Sequence, residues 1–543
     1  MLKSRGRPIA QDARAAGPRC RARGGFRKAA SRPRKKGDAA AKGKTISNPI
    51  GAVRGAGAAR ATTPNATILF AVGCQLCLVA SAMLVPLAVD YAADNPDWQG
   101  FLGAAAFTGF AGVLLILSTR RSREAIPLKG AFVLTTLSWL AIAVFGSVPM
   151  QLGIFRLSFT DAVFETVSGL TTTGSTVVTG LDQAPPGFLL WRSLLQWLGG
   201  IGIIVMALVM LPFLRVGGMQ LFRTESSDRT EKLLPTMAAI VRQIVYIYAG
   251  LTVLCAAAYY LAGMDAFDAV NHAMTTLATG GYSTHDASMG YFKSPAIHWI
   301  GTLFMASAAL PFTRYVAVVN GRPGLFFGDE QIRLFVAFCL AVAGILTLWL
   351  VAAKGWPALD ALRSCLFNVV SVVTTTGFAS EDYSVWGAPA VAMFLAITVV
   401  GGCTGSTAGG IKMFRLEILW RWAASYLRSL FLPHAINRAH YGGKPLDQDT
   451  MLAVLSFAFV FIGSWGAFSV VLGGLGLDLI TAVSSAATAL ANVGPGLGEI
   501  VGPAGNFQTL SDPTKWVLIL AMLLGRLEFF TVLVLLHPGF WRR

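Results

Sequence analysis

The chain has 543 residues, 54% hydrophobic and only 13% charged. A soluble domain carries about 25% charged residues, so this composition excludes a soluble globular protein, a disordered chain and a coiled coil, and fits a polytopic membrane protein. The net charge of +17 is local: residues 1–60 hold 17 Lys and Arg against Asp12 and Asp38, leaving the rest of the chain at +2.

In chain order, residues 1–64 form a basic tail rich in Ala, Gly, Arg and Lys, with Phe26 as its one aromatic. Such a segment cannot bury a core and is expected to be disordered and cytoplasmic. It reads as an arm for anionic lipid or nucleic acid, as a solvated topogenic tail, or as the product of an over-long start site. It has no apolar core of a secretory signal, so a cleaved signal is not expected. Residues 65–128 form a two-helix hairpin with spans at 66–89 and 99–118. Cys74 and Cys77 have a redox spacing but lie in an apolar helix without a nearby His, and read as packing. No disulfide framework is expected.

Further apolar spans are predicted at 130–150, 187–213, 238–262, 296–320, 332–353, 388–431, 451–474 and 514–536, which makes ten with the hairpin. Clustered basic residues at the tail, Arg120/Arg121/Arg123, 215–242, Arg314/Arg322/Arg333 and 412–444 alternate with loops such as Asp90–Asp97. The positive-inside rule then puts both termini in the cytoplasm.

Between alternate pairs of spans lie four shorter apolar segments, 159–172, 266–279, 359–375 and 478–491. They are too short to cross a bilayer and read as re-entrant helices entering from outside. Each starts near an acid (Asp161, Asp268, Asp360, Asp478) expected to cap it, and each ends in a Gly-containing stretch. Aligning Gly174, Gly281, Gly377 and Gly494 gives intervals of 107, 96 and 117 residues, an internal fourfold repeat. Its copies run over 129–215, 238–322, 330–432 and 449–543, and the fourth departs most, with Asn492-Val493-Gly494-Pro495 in place of Thr-Thr-Gly. The predicted fold is therefore an all-α polytopic membrane protein: four span–pore-helix–span repeats around a central pore, plus the hairpin.

The chemistry follows from the loops. Re-entrant helices aim their C-terminal carbonyls at the bilayer centre, where the summed potential favours a cation. Extended Thr/Gly backbone then supplies carbonyl oxygens able to replace the hydration shell of K+. The filter segments are Thr172-Thr173-Gly174-Ser175, Thr279-Gly280-Gly281-Tyr282, Thr375-Thr376-Gly377-Phe378 and Asn492-Val493-Gly494-Pro495.

Two features read as a gate. The 388–431 span is interrupted by a run containing Gly401, Gly402, Gly405, Ser406, Thr407, Gly409 and Gly410 and ending near Lys412. Such backbone is tolerated at membrane depth only beside a cavity or other protein. Arg526 lies inside the last span, where an Arg costs at least ~2.5 kcal/mol and is a functional candidate. The alternative is a structural pair with Glu528 or another acid, although residues two apart on a helix do not face each other. Arg192 reads equally as functional or as snorkelling to the interface. His272 and His285 flank the second filter and read as packing and surface residues, with a proton role as the alternative.

The stretches 167–177 (VSGLTTTGSTV), 191–205 (WRSLLQWLGGIGIIV), 278–286 (ATGGYSTHD), 370–383 (VSVVTTTGFASEDY), 401–412 (GGCTGSTAGGIK), 491–498 (ANVGPGLG) and 525–531 (GRLEFFT) together resemble the Trk/Ktr/HKT superfamily, and within it the TrkH-type membrane subunits of bacterial Trk systems. The likeness covers about 65–543 and leaves out the tail; residues 310–324 match only loosely and are assigned no role. The resemblance implies K+ uptake through a gated pore in the bacterial inner membrane, with one filter Gly per repeat, the 401–410 loop beneath the filter and Arg526 projecting into the pore. It implies a homodimer and a separate cytoplasmic, nucleotide-binding partner of the TrkA type. Transported K+ is the only cofactor expected, no nucleic-acid partner is expected, and the chain is not an enzyme. An ion-coupled transporter of another solute, or a pore that also passes Na+, is the alternative.

Overall fold

The computed structural model describes residues 64–119, 126–214, 233–432, 439–442 and 444–542. The basic tail to residue 63, Arg120/Arg121/Arg123 and most of the 215–242 linker lie outside the described residues. Within them the fold is helical, apart from a two-residue hairpin pairing His440–Tyr441 with Lys444–Pro445.

The N-terminal hairpin packs Pro64–Ala82 against Trp98–Thr119. Gly73 and Gly112 let these backbones meet: a Cβ on Gly73 would lie 2.9 Å from the Gly112 carbonyl oxygen. Small residues at such crossings are the membrane route to close helix contact. Cys77 sits against Gly112, and the six described cysteines are free thiols, in line with packing. Asp90 and Asp97, expected in an outer loop, are buried and tie the hairpin to the first repeat. They accept hydrogen bonds from the Gly187 N–H (2.6 Å) and the Ile154 N–H (2.6 Å).

The first repeat runs Leu128–Gly146, Phe159–Leu170 and Pro186–Leu214. The second runs Leu233–Leu261, Ala266–Leu277 and Pro295–Ala308 with Phe312–Val319. The third runs Glu330–Lys354, Ala358–Val373, Ala388–Thr398 and Met413–Phe431. The fourth runs Gln448–Gly474, Leu479–Ala491 and Asp512–Arg526 with Phe529–Leu536. Of the four expected acidic caps only Asp478 caps its helix; the third helix follows Pro357, which makes no side-chain cap, and Asp360 sits in its first turn. Ser158, Asp265 and Asp478 accept the capping N–H, whereas Asp161 and Asp268 sit in the first turn. There Asp161 pairs with Lys515 at 2.6 Å.

Two predicted continuous spans are broken. Pro295–Ala308 and Phe312–Val319 meet at 91°, and Asp512–Arg526 and Phe529–Leu536 meet at 113°. The first bend has Pro311, which cannot donate to the preceding turn. The second has no proline; Glu528 turns the chain with φ 61° and Arg415 holds its carboxylate at 2.8 Å. Among the described residues, seven helices are long and apolar enough to cross a membrane, or nine if each bent pair is one span. The tenth expected span falls short because residues 388–431 divide into an 11-residue apolar helix and the charged helix Met413–Phe431. Leu78, Leu117, Val253 and Phe459 on the long helices are exposed, as a lipid-facing surface requires.

Candidate ion path

The four short helices end in one repeated backbone motif. At each end a residue adopts left-handed φ: Thr172 (53°), Thr279 (51°), Thr375 (58°) and Asn492 (56°). The next N–H donates back five residues: Thr173 to Ser168, Gly280 to Thr275, Thr376 to Ser371 and Val493 to Thr488, at 2.8–3.0 Å. This is a Schellman-type cap, which normally carries Gly or Asn at the left-handed position. Three copies place a β-branched Thr there, a strain of about 1–3 kcal/mol each that only surrounding structure sustains. The divergent fourth copy is the least strained, because Asn tolerates this conformation.

Two residues on, Gly174, Gly281, Gly377 and Gly494 have φ of 87°, 74°, 79° and 115°. φ thus alternates in sign, which turns successive peptide groups toward one side instead of alternating them as in a strand. The glycines close a ring. A Cβ on Gly174 would strike the Gly280 carbonyl oxygen, one on Gly281 that of Thr376, and one on Gly377 that of Val493. One on Gly494 would lie 2.8 Å from that of Thr173. Each loop therefore presses its glycine on the residue before the glycine of the next loop, around a closed cycle. Gly174, Gly281 and Gly377 are partly exposed among buried neighbours.

The residues after the glycines support this ring from behind. Ser175 donates to the Gly494 carbonyl (2.8 Å), and Tyr282 donates to that of Glu165 (2.8 Å). Phe378 is fully buried, and the Pro495 ring packs against Gly377.

The 401–410 loop lies directly against this motif. The Gly409 N–H donates to the Thr375 hydroxyl (2.7 Å), and a Cβ on Gly409 would strike the Ala491 carbonyl oxygen. Its neck is closed by the Gly401 N–H on the Ile411 carbonyl (2.9 Å) and the Ile411 N–H on that of Val399 (2.9 Å). Gly401 packs on the Gly409 carbonyl and Gly402 on Ala309. The Phe312 N–H donates to the Gly405 carbonyl (2.9 Å), the Thr407 hydroxyl donates to Ala308 (3.1 Å), and the Ser406 hydroxyl donates to Cys403 (2.6 Å). Lys412 donates to the Ala408 carbonyl. Gly410 takes φ 66° where the loop returns to its neck. Arg526 is buried at 3% exposure, and its Nη1 donates to the Thr407 carbonyl at 3.0 Å. The structure thus brings the loop and Arg526 together. It overturns the Arg526–Glu528 pairing, since Glu528 belongs to Arg415. The loop bed Ala308–Phe312 falls partly in the 310–324 stretch, to which the sequence had assigned no role.

A family model described as TrkH, cation transport protein, matches residues 99–541. The chain belongs to the TrkH family. It is 47% identical over 467 residues to the Trk system potassium uptake protein TrkI of Halomonas elongata, covering 86% of this chain and 95% of that protein. It is 38% identical over 488 residues to the Trk system potassium uptake protein TrkH of Escherichia coli, covering 87% and 98%. The crystal structure of the potassium transporter TrkH from Vibrio parahaemolyticus matches with a TM-score of 0.82 at 36% identity, over 88% of this chain and 100% of that one. The family is thus one of cation transport proteins.

In this TrkH-family chain the ring has buttresses that the sequence reading left undecided or missed. Arg192 does not snorkel. At 1% exposure it pairs with Glu165 of the first pore helix (2.8 Å), donates to the Ser283 carbonyl (3.0 Å) and lies 4.1 Å above the Tyr282 ring. Glu165 also accepts from Val177 N–H (3.0 Å), so one pair joins the first helix to both loops. An acid inside an apolar re-entrant helix was the available signal. Breaking a buried pair costs about 3–5 kcal/mol, whereas an apolar replacement of both partners is often neutral. Arg192→Met should therefore lower the thermal midpoint sharply in detergent, and Arg192→Met with Glu165→Leu should recover much of the loss.

His272 is a buried packing residue, as expected, with its ring nitrogens on Asp268 carbonyl and Ser283 hydroxyl. His285 is only partly exposed: it is held between Asp182 (2.6 Å) and Asp268 (2.9 Å) and stacks on Tyr291. Burial opposes its charge, yet the two carboxylates outweigh burial and raise its pKa above the usual imidazole value.

Proposed function

We propose that this chain is the translocating subunit of a Trk-type K+ uptake system in the bacterial inner membrane, working as a gated, K+-selective pore. The observation that carries this reading is the closed cycle in which Gly174, Gly281, Gly377 and Gly494 each abut the next loop's backbone. Four equivalent backbone turns beside a partly exposed axis offer a ring of carbonyl oxygens, which selects K+ by replacing its water. In this reading the residues at 172–175, 279–282, 375–378 and 492–495 form the filter, with the side chains of Ser175, Tyr282 and Phe378 as its supports. The 401–410 loop, Lys412 and Arg526 form the gate beneath. The names of the relatives, potassium uptake proteins of Trk systems, support the cargo.

The basic clusters support cytoplasmic termini. The word system in those names supports a separate regulatory subunit, which we take to be a cytoplasmic nucleotide-binding protein of the TrkA type, acting on a homodimer. A bacterial strain stripped of its own K+ uptake tests the reading. Expression of this chain with such a partner should restore growth at low K+; growth that stays dependent on high K+ with the protein correctly inserted overturns it.

The tail is dispensable for transport in this account, because it carries +15 of the charge but lies outside the family match. Deleting residues 2–60 should leave K+ flux per inserted protein unchanged. A properly inserted truncation without uptake would contradict this.

A further inference from the structure

The residue before the filter glycine is Thr173, Gly280, Thr376 or Val493 in the four loops. Three are β-branched and stiff. The second loop instead has two consecutive glycines, the most freely rotating backbone available. Gly280 is not needed for its conformation, since its φ lies outside the left-handed range. It is needed for space: a Cβ there would run into the Gln196 carboxamide. Gln196 comes from the second span of the first repeat and is fully buried. Its Nε2 donates to the Gly280 carbonyl at 2.6 Å, and its Oε1 accepts from the Tyr282 N–H at 3.0 Å. One carboxamide thus grips two successive peptide groups, 280–281 and 281–282, on either side of Gly281. The gripped carbonyl is the one on which Gly174 of the first loop rests.

We propose that Gln196 is a positioning residue for ion selectivity, which locks the glycine-rich second loop in the filter conformation that Thr173, Thr376 and Val493 maintain in the others by their own stiffness. A carbonyl has two lone pairs, so the grip fixes the peptide while one lone pair stays free for an ion. This inference rests on the filter reading above and adds a residue from outside the filter loops.

The test is the K+/Na+ flux ratio of full-length protein in liposomes, with folding checked by thermal midpoint and monodispersity. Gln196→Met keeps the length and removes both hydrogen bonds. Losing the lock should lower the ratio about tenfold, the ~1.4 kcal/mol that one or two such bonds supply. Gln196→Ala should lower it likewise, and Gln196→Ala with Gly280→Thr should restore it, because the freed space then accepts the Thr found in two other loops. Gly174→Ser is run alongside. If Gly174→Ser lowers the ratio while folded Gln196→Met and Gln196→Ala leave it unchanged, the filter reading stands and the role of Gln196 is overturned. If none of them moves it, both are overturned.

Discussion

In liposomes without any partner, Arg526→Ala should pass K+ faster than the native chain. The guanidinium is buried beside the 401–410 loop; among the described residues no carboxylate pairs with it, and its Nε and Nη2 have no hydrogen-bond partner. A fixed positive charge 4 Å from an ion repels it by about 4 kcal/mol at an effective dielectric of about 20. In the proposed gate, removing such a charge should speed permeation by up to roughly a thousandfold. The same substitution releases the Thr407 carbonyl, one of the anchors of the loop. In the same proposed gate, a deletion within 402–409 should also raise basal flux. The two routes are separable from misfolding. Among the described residues no acid pairs with Arg526, so the cost of Arg526→Ala is that of one hydrogen bond, about 0.5–3 kcal/mol. Unchanged or lower flux per folded protein would remove Arg526 from the barrier.

The second large effect is loss of selectivity when the glycine ring acquires side chains. Gly174→Ser, Gly281→Ser and Gly377→Ser each drive a Cβ into the next loop's carbonyl and impose left-handed φ on an L side chain. The backbone strain alone is about 1–3 kcal/mol, and the displaced carbonyl can no longer match the K+ shell. K+/Na+ flux ratios should fall at all four positions, Gly494 included, with Na+ entering where it had been excluded. Ratios that stay native in folded protein would show that the ring does not select.

Much of this was legible in the chain because it repeats. The short helices, their glycines and the 401–410 interruption are local patterns of length and composition, and the structure starts the helices within one residue of the predicted positions. The left-handed Thr172, Thr279 and Thr375 were not legible, because propensity disfavours Thr there and only the packed ring enforces it. Nor were the buttresses. Gln196 and Gly280 are 84 positions apart, and Arg192 and Glu165 are 27 apart, on different helices. Single-sequence spacing carries no signal for such contacts. The bend after Arg526 was hidden for a related reason. A left-handed Glu528 has no proline to announce it, and its partner Arg415 lies 113 residues away. The 401–410 loop also differs from the loosely held segment that its glycines imply. Hydrogen bonds to Thr375, Arg526, Ala308 and Gln331 pin it.

The central claim is a K+-selective pore made by four backbone turns, and ion flux in liposomes tests it most directly. Full-length protein and its Arg526→Ala variant are loaded against gradients of K+, Rb+ and Na+. The account predicts that K+ and Rb+ move, faster in the variant, while Na+ lags far behind in both. Na+ moving as fast as K+, or no K+ movement even in the folded Arg526→Ala protein, would contradict it.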